Sequence, residues 1–168
     1  MNWRWGLLAP LVVQVVASGF DELYFHRRRG LGTWERIGHP FDTLTVLACM
    51  AWAIHSAPDA RGIAVYVGLA IVSSLAITKD EWVHARTCSP SEHWLHALLF
   101  VTHPLGLVSF GLLWPALHVR RGASLDGWAD AAPTAPWLRA QFALTLAFCL
   151  YQIVYWNVPW PKVTSRTA

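Results

Sequence analysis

"TKDEWVHARTCSPSEHWLHALLFVTHP", residues 78–104, sets Asp80, Glu81, Glu92 and the histidines His84, His93, His96 and His103 directly against an apolar run. Read outward from it, the chain alternates such polar clusters with charge-poor runs at about 5–20, 43–58, 62–78, 97–117 and 140–161. Each run approaches the roughly 20 residues that cross a ~30 Å hydrocarbon core. A composition of 55% hydrophobic and 14% charged residues, with a mean hydropathy of +0.35, agrees with a membrane protein. The reading is an all-α integral membrane bundle, one domain over residues 1–168. It has five transmembrane helices at about 5–26, 40–57, 62–84, 93–118 and 137–158.

The first run is long and poorly provided with a small-residue cleavage site, and Arg4 is its only basic residue before Asp21-Glu22, so it reads as a helix and not as a signal peptide. Of eleven tryptophans, Trp3, Trp5, Trp34, Trp82, Trp94, Trp114, Trp137, Trp156 and Trp160 fall near run ends, where aromatic belts meet the two interfaces. Cys49, Cys88 and Cys149 form no CxxC pair and no disulfide framework. A net charge of +3, with basic residues at helix ends, implies a lipid bilayer as the partner and no nucleic acid. A homo-oligomer is compatible with this pattern. Residues 120–136, "RRGASLDGWADAAPTAP", read as the loop before the last helix.

If the helices alternate direction, "DELYFH" (21–26), "ERIGHPFD" (35–42), "DEWVH" (80–84) and "SEHWLH" (91–96) share one face, with His103 about two turns deeper. His55, His118, Asp59, Asp126 and Asp130 fall on the other. Positions four, seven or eleven apart on a helix return to the same side. Glu22 and His26 make one such stripe, Glu81, His84 and Cys88 a second, and Glu92, His96 and His103 a third, with His93 one residue off it. Glu35, His39 and Asp42 share the spacing, but Gly38 and Pro40 interrupt it. Because proline favours a first turn, the second helix is expected to start near Pro40, with His39 and Asp42 favoured over Glu35. Pro104 is expected to kink the fourth helix beside His103.

Helices of 16 or 17 charge-free residues barely span, so the acids and histidines are drawn to shallow membrane depth, where ionisable groups cost several kcal/mol unless they face the bundle and find partners. Six of the eight histidines lie in this cluster. A salt-bridge network drawing on Arg27, Arg28, Arg29, Arg36, Lys79 and Arg86 is the plain alternative, but such networks have no special need of imidazole, whereas metal sites do. The expected ligands are Glu22, His26, Glu35, His39, Asp42, Glu81, His84, Glu92, His93, His96 and His103. They would hold two or three transition metal ions, iron first and zinc next. Asp80 reads as a group that orients a histidine, Cys88 as a loop thiol, the Arg27–Arg29 run as a membrane anchor, and His55 and His118 as ordinary interface residues.

The ligand pattern resembles the di-iron carboxylate bundles of the ferritin-like type, in which Glu and Glu-x-x-His groups on four helices point at two metals. Glu81-x-x-His84 matches that spacing, with Glu22, Glu35 and Glu92 as further carboxylates. The second Glu-x-x-His is missing, and the HxxxH and HxxHH boxes of membrane desaturases are absent too. The resemblance implies an oxidoreductase acting on O₂ or a lipophilic small molecule. A zinc-dependent membrane hydrolase using the same residues, a metal sensor, store or transporter, and a b-type haem protein stand as alternatives. The middles of the helices offer little beyond Gln14, Ser73, Ser74 and His103, which favours a closed site over a conduit.

Arg27, Arg28, Arg29, Arg36, Lys79, Arg86, Lys162 and Arg166 lie on the site face, against Arg4, Arg61, Arg120, Arg121 and Arg139 opposite. The positive-inside tendency then turns the site face toward the cytoplasm of what is expected to be a bacterial inner membrane.

Overall fold

Short capped turns divide the chain into antiparallel helices. The computed structural model describes residues 3–119 and 129–158, all helical apart from the connections and without a strand. Arg120, Arg121, Asp126, Trp160, Lys162 and Arg166 of the sequence reading lie outside the described residues. Five helices are long and apolar enough to cross a membrane: α1 (Arg4–Arg29), α2 (Thr33–His55), α3 (Ala60–Thr87), α4 (Pro90–His118) and α5 (Ala132–Asn157).

Local chemistry sets the helix starts. Gly30 takes φ +74°, a left-handed conformation that glycine adopts without strain, and turns the chain from α1 into α2. Asp59 Oδ1 accepts the Gly62 N–H at 2.7 Å to cap α3, and Ser89 Oγ accepts the Glu92 N–H at 3.3 Å ahead of Pro90 to cap α4. Helix α2 begins at Thr33, well before the expected start near Pro40, which lies inside it. Proline cannot donate to the Arg36 carbonyl, and Asn157 Nδ2 donates to that carbonyl instead, at 3.2 Å. The freed backbone group is satisfied by α5, so the helix continues through the proline.

Helix α1 packs on α4, and α2 packs on both α3 and α5, while α4 also touches α3 and α2. The bundle is inside-out relative to a water-soluble one. Val16, Ile71, Leu75, Val101 and Leu150 are exposed, while Asp21, Glu22, Glu35, Asp80, Glu92 and His96 are buried. That is the arrangement expected of helices whose solvent is lipid. Exposed Trp34, Trp82 and Trp94 mark the site end, and exposed Trp5 and Trp137 mark the other. Trp114 leaves the expected belt, being buried in the core.

That core fills the end of the bundle remote from the acids. Met50, Tyr66, Phe110, Leu113, Trp114 and Leu138 pack together, and their polar atoms find partners. Tyr66 donates to the Leu107 carbonyl at 2.7 Å, Trp114 Nε1 to the Ser56 carbonyl at 3.0 Å and Trp52 Nε1 to the Gly62 carbonyl at 3.0 Å. A Cβ on Gly62 would lie 2.2 Å from the Ala57 carbonyl oxygen, so only glycine lets this turn close. His118 has a structural tie here, its Nε2 lying 2.9 Å from the Ala53 carbonyl oxygen.

Candidate metal centre

Two irregular turns aim the polar residues inward. In a regular α-helix Asp21 and His26 would point about 140° apart. Here Asp21–His26 forms a π-helical turn, whose i→i+5 period brings Asp21, Glu22 and His26 to the interior together. His26 Nδ1 lies 3.1 Å from Glu22 Oε2, and His26 Nε2 lies 3.2 Å from Asp21 Oδ2. In α3 the tighter turn Ile77–Asp80 shifts the helical phase, so that Asp80 is buried and Glu81 exposed.

Four helices each contribute one imidazole to a closed ring. His26 of α1 stacks on His39 of α2 with centroids 4.8 Å apart, and His84 of α3 lies 4.1 Å from His96 of α4. The two pairs are joined by His26–His96 and His39–His84 separations of 6.2 Å each. Carboxylates surround the ring. Asp21 Oδ2 is 3.1 Å from His96 Nε2, Glu92 Oε1 is 4.0 Å from His26 Nε2, Glu35 Oε1 is 3.8 Å from His84 Nε2 and Asp80 Oδ2 is 3.9 Å from His39 Nε2.

The ring nitrogens are short of partners. Both nitrogens of His84, Nδ1 of His96 and Nε2 of His26 are buried without a hydrogen bond. A buried polar atom left unpaired costs roughly 1–3 kcal/mol, so several at one place make this the least satisfied part of the described bundle. Three groupings have ligand atoms within 4.8 Å of one another: Asp21, His26, Glu92 and His96; Glu35, His39 and His84; and His84, Cys88 and His96. His84, unpaired at both nitrogens, belongs to two of them, and His96 also belongs to two.

Outside the ring the charges are paired. Arg29 Nη2 and Nη1 donate to Glu35 at 2.5 and 3.0 Å, and its Nε donates to Glu92 at 2.9 Å. Glu35 also accepts the Gly32 N–H at 3.1 Å. Lys79 pairs with Asp42 at 2.5 Å and with Asp80 at 3.0 Å, and Trp34 Nε1 donates to Asp80 at 3.0 Å. Gly38 permits this approach of α3 to α2, since a Cβ there would lie 3.1 Å from Asp80 Oδ1. Glu22 Oε1 accepts from Tyr151 at 2.9 Å and from Trp156 at 2.7 Å, while its Oε2 faces His26. Burial, followed by the neighbouring Glu92 carboxylate, pushes the Cys88 thiol up to about 12.

The expected residues therefore separate. His26, His39, His84, His96, Glu35 and Glu92 come together. Glu22 is an orienting group: it holds His26 by Nδ1 and leaves Nε2 turned inward, the arrangement by which carboxylates fix metal-binding imidazoles. Asp42 pairs with Lys79 through Oδ2 and leaves Oδ1 buried without a hydrogen bond, and His103 lies with Nε2 3.0 Å from Ser73 Oγ; both line the cavity below the ring. Glu81 and His93 line a separate shallow depression together, so the residue carrying the literal Glu-x-x-His spacing is not at the ring. Asp21 was not anticipated, because a π-turn leaves no mark in helical periodicity, although its position beside Glu22 at the end of a charge-free run was a usable signal. Arg29 turns inward out of the anchor run, and half-buried Cys88 stands 3.8 Å from its Nη2.

Comparison with family models, with curated proteins and with solved structures finds no match for this chain.

Proposed function

We propose that the chain is an integral membrane metalloprotein whose imidazole ring holds two, and with Cys88 three, transition metal ions, and that it is an oxidoreductase acting on O₂ or a lipophilic substrate. One observation carries this reading: four imidazoles from four helices converge inside a belt of carboxylates, and three of them, His26, His84 and His96, have unpaired nitrogens. Mixed imidazole and carboxylate donors suit iron, and shared ligands such as His84 suit adjacent ions. Arg29 and Lys79 offset excess carboxylate charge, while Glu22 fixes the orientation of His26. The metals would supply oxygen activation, and the chain's residues hold and orient them in a dry, shaped site.

The grouping of His84 and His96 with Cys88 favours a second reading, a zinc-dependent hydrolase, because a sulfur donor suits zinc. A conduit lacks support, since the apolar core closes the far end of the bundle. Haem lacks support as well, since rings packed 4.1 Å apart leave no width for a porphyrin between them.

The test is O₂ uptake by protein reconstituted anaerobically with ferrous ion, beside elemental analysis of protein as isolated. Iron retention with O₂ uptake that His96→Ala abolishes is the expected result. Zinc as the retained metal, with no O₂ uptake by the ferrous form, would replace the oxidoreductase by the hydrolase.

A further inference from the structure

The helix pairing leaves one seam open. Helix α1 packs on α4 and α5 packs on α2, so α1 and α5 face each other without an extended interface. At the site end they are tied where Glu22 accepts from Tyr151 and Trp156 and Arg27 Nε donates to Tyr151 at 3.2 Å. Below that tie a cavity of about 450 Å³ runs between the helices. Its two edges are single helical stripes, Val15, Ser18 and Gly19 on α1 and Leu144, Thr145 and Phe148 on α5. Val15 and Leu144 are also exposed, at 37% and 56%, so the cavity opens sideways, toward lipid.

Its shape limits what fits. It reaches from His96 to Leu107 on α4 and from His39 to Met50 on α2, eleven residue steps in each case, which is about 16 Å at 1.5 Å per residue. An elongated slot of this length, apolar below and open sideways, suits an extended hydrocarbon chain. The floor is apolar, with Met50, Leu107 and Leu11, and the upper end is formed by Asp21, His26, His39, His84 and His96. A single-chain lipid entering from the bilayer keeps its natural orientation, with its polar end at the shallow imidazole ring and its tail toward the membrane centre.

We infer that this lateral slot is the binding site of a long-chain fatty acid or fatty alcohol, admitted between α1 and α5 and held with its oxygen-bearing end at the imidazole ring. The inference rests on the metal reading only for the role of that polar end.

Gly19 provides the test, because a Cβ there meets no atom within 4 Å and a side chain can narrow the slot without a clash in the fold. The probe is palmitic acid carrying a mid-chain photoreactive diazirine, applied to the full chain in detergent micelles, with cross-links mapped by mass spectrometry and metal measured on the same samples. Wild type is expected to label on the α1 and α5 edges, with unlabelled palmitate competing. Hexadecanol competing equally would assign recognition to the chain and the shared oxygen, and palmitate alone competing would assign it to the carboxylate. Gly19→Leu, and independently Leu144→Trp on the opposite edge, should lower labelling at least about fivefold. Gly68→Leu, equally free of nearby atoms on the exposed side of α3, should leave it unchanged. Labelling spread over the lipid-facing surface, or unaffected by both edge variants, overturns the slot even if metal is bound. Edge-specific labelling in protein that binds no metal upholds the slot and removes the metal reading instead.

Discussion

The two ends of the bundle are built from the same five helices on opposite terms. At the far end Trp114, Tyr66 and Trp52 donate to backbone carbonyls, and Phe110, Leu113 and Leu138 fill the space between them. At the site end, four imidazoles come together with ion pairs around them, and buried ring nitrogens of His26, His84 and His96 lack a hydrogen bond. The polar atoms of that far core are satisfied within the bundle, and at the site end several are not. The difference teaches that the far core can hold the helices together without a ligand, so a substitution in that core should change stability without changing ligand content.

The sharpest way to break that comparison is to substitute one residue at each end. His84→Ala removes the imidazole shared by two groupings and is expected to abolish nearly all metal binding, while leaving a folded bundle. Phe110→Ala, in the far core, should cost about 3–5 kcal/mol of stability and leave the metal content of the folded fraction unchanged. Metal analysis and thermal melting of both variants in detergent check this, and a matched loss of metal and stability in both would mean that the ends are not independent.

Arg29→Gln comes next in size. It leaves Glu35 and Glu92 buried without their cation, a loss of about 3–5 kcal/mol for a fully buried pair. Arg29 is about one-fifth exposed, so roughly 2–3 kcal/mol is expected. Bound metal cations replace part of the lost charge, so the melting temperature gained on metal addition should be larger in Arg29→Gln than in wild type. An equal or smaller gain would make the carboxylates partners of Arg29 alone.

Acidity separates the ends more gently. A metal-binding imidazole must be neutral, so protons compete with the metal for the same nitrogens, and any stability contributed by bound metal should be present at neutral pH and lost on acidification toward about pH 5 as the metal is released. Metal release followed by equilibrium dialysis across that range should coincide with a falling melting temperature. The smallest effect belongs to His55→Ala: this exposed histidine at the far end should change neither metal content nor melting.

Sequence patterning carries the five helices long and apolar enough to cross a membrane and the gathering of acids and histidines at one end of them, because apolar runs and helical spacing are long-period signals. His26, His84, Glu92 and His96 were legible for the same reason. What escaped was local. The π-turn at Asp21–His26 and the tight turn at Ile77–Asp80 each rotate the helix partway, bringing Asp21 and Asp80 inward and turning Glu81 out. The start of α2 was misplaced because acceptance of Pro40 depends on Asn157, distant in sequence. Arg29 and Lys79 have long side chains that reach carboxylates on other helices, so their partners could not be read from spacing.

The central claim, that the site end is arranged around metal ions, is tested most directly by elemental analysis of wild type and His84→Ala, purified side by side from iron- and zinc-replete cells without added cofactor. The expected result is at least about two equivalents of transition metal per chain in wild type and close to none in the variant. Less than about half an equivalent in wild type, or equal metal in both, would contradict it and leave the imidazole ring as part of an interfacial charge network.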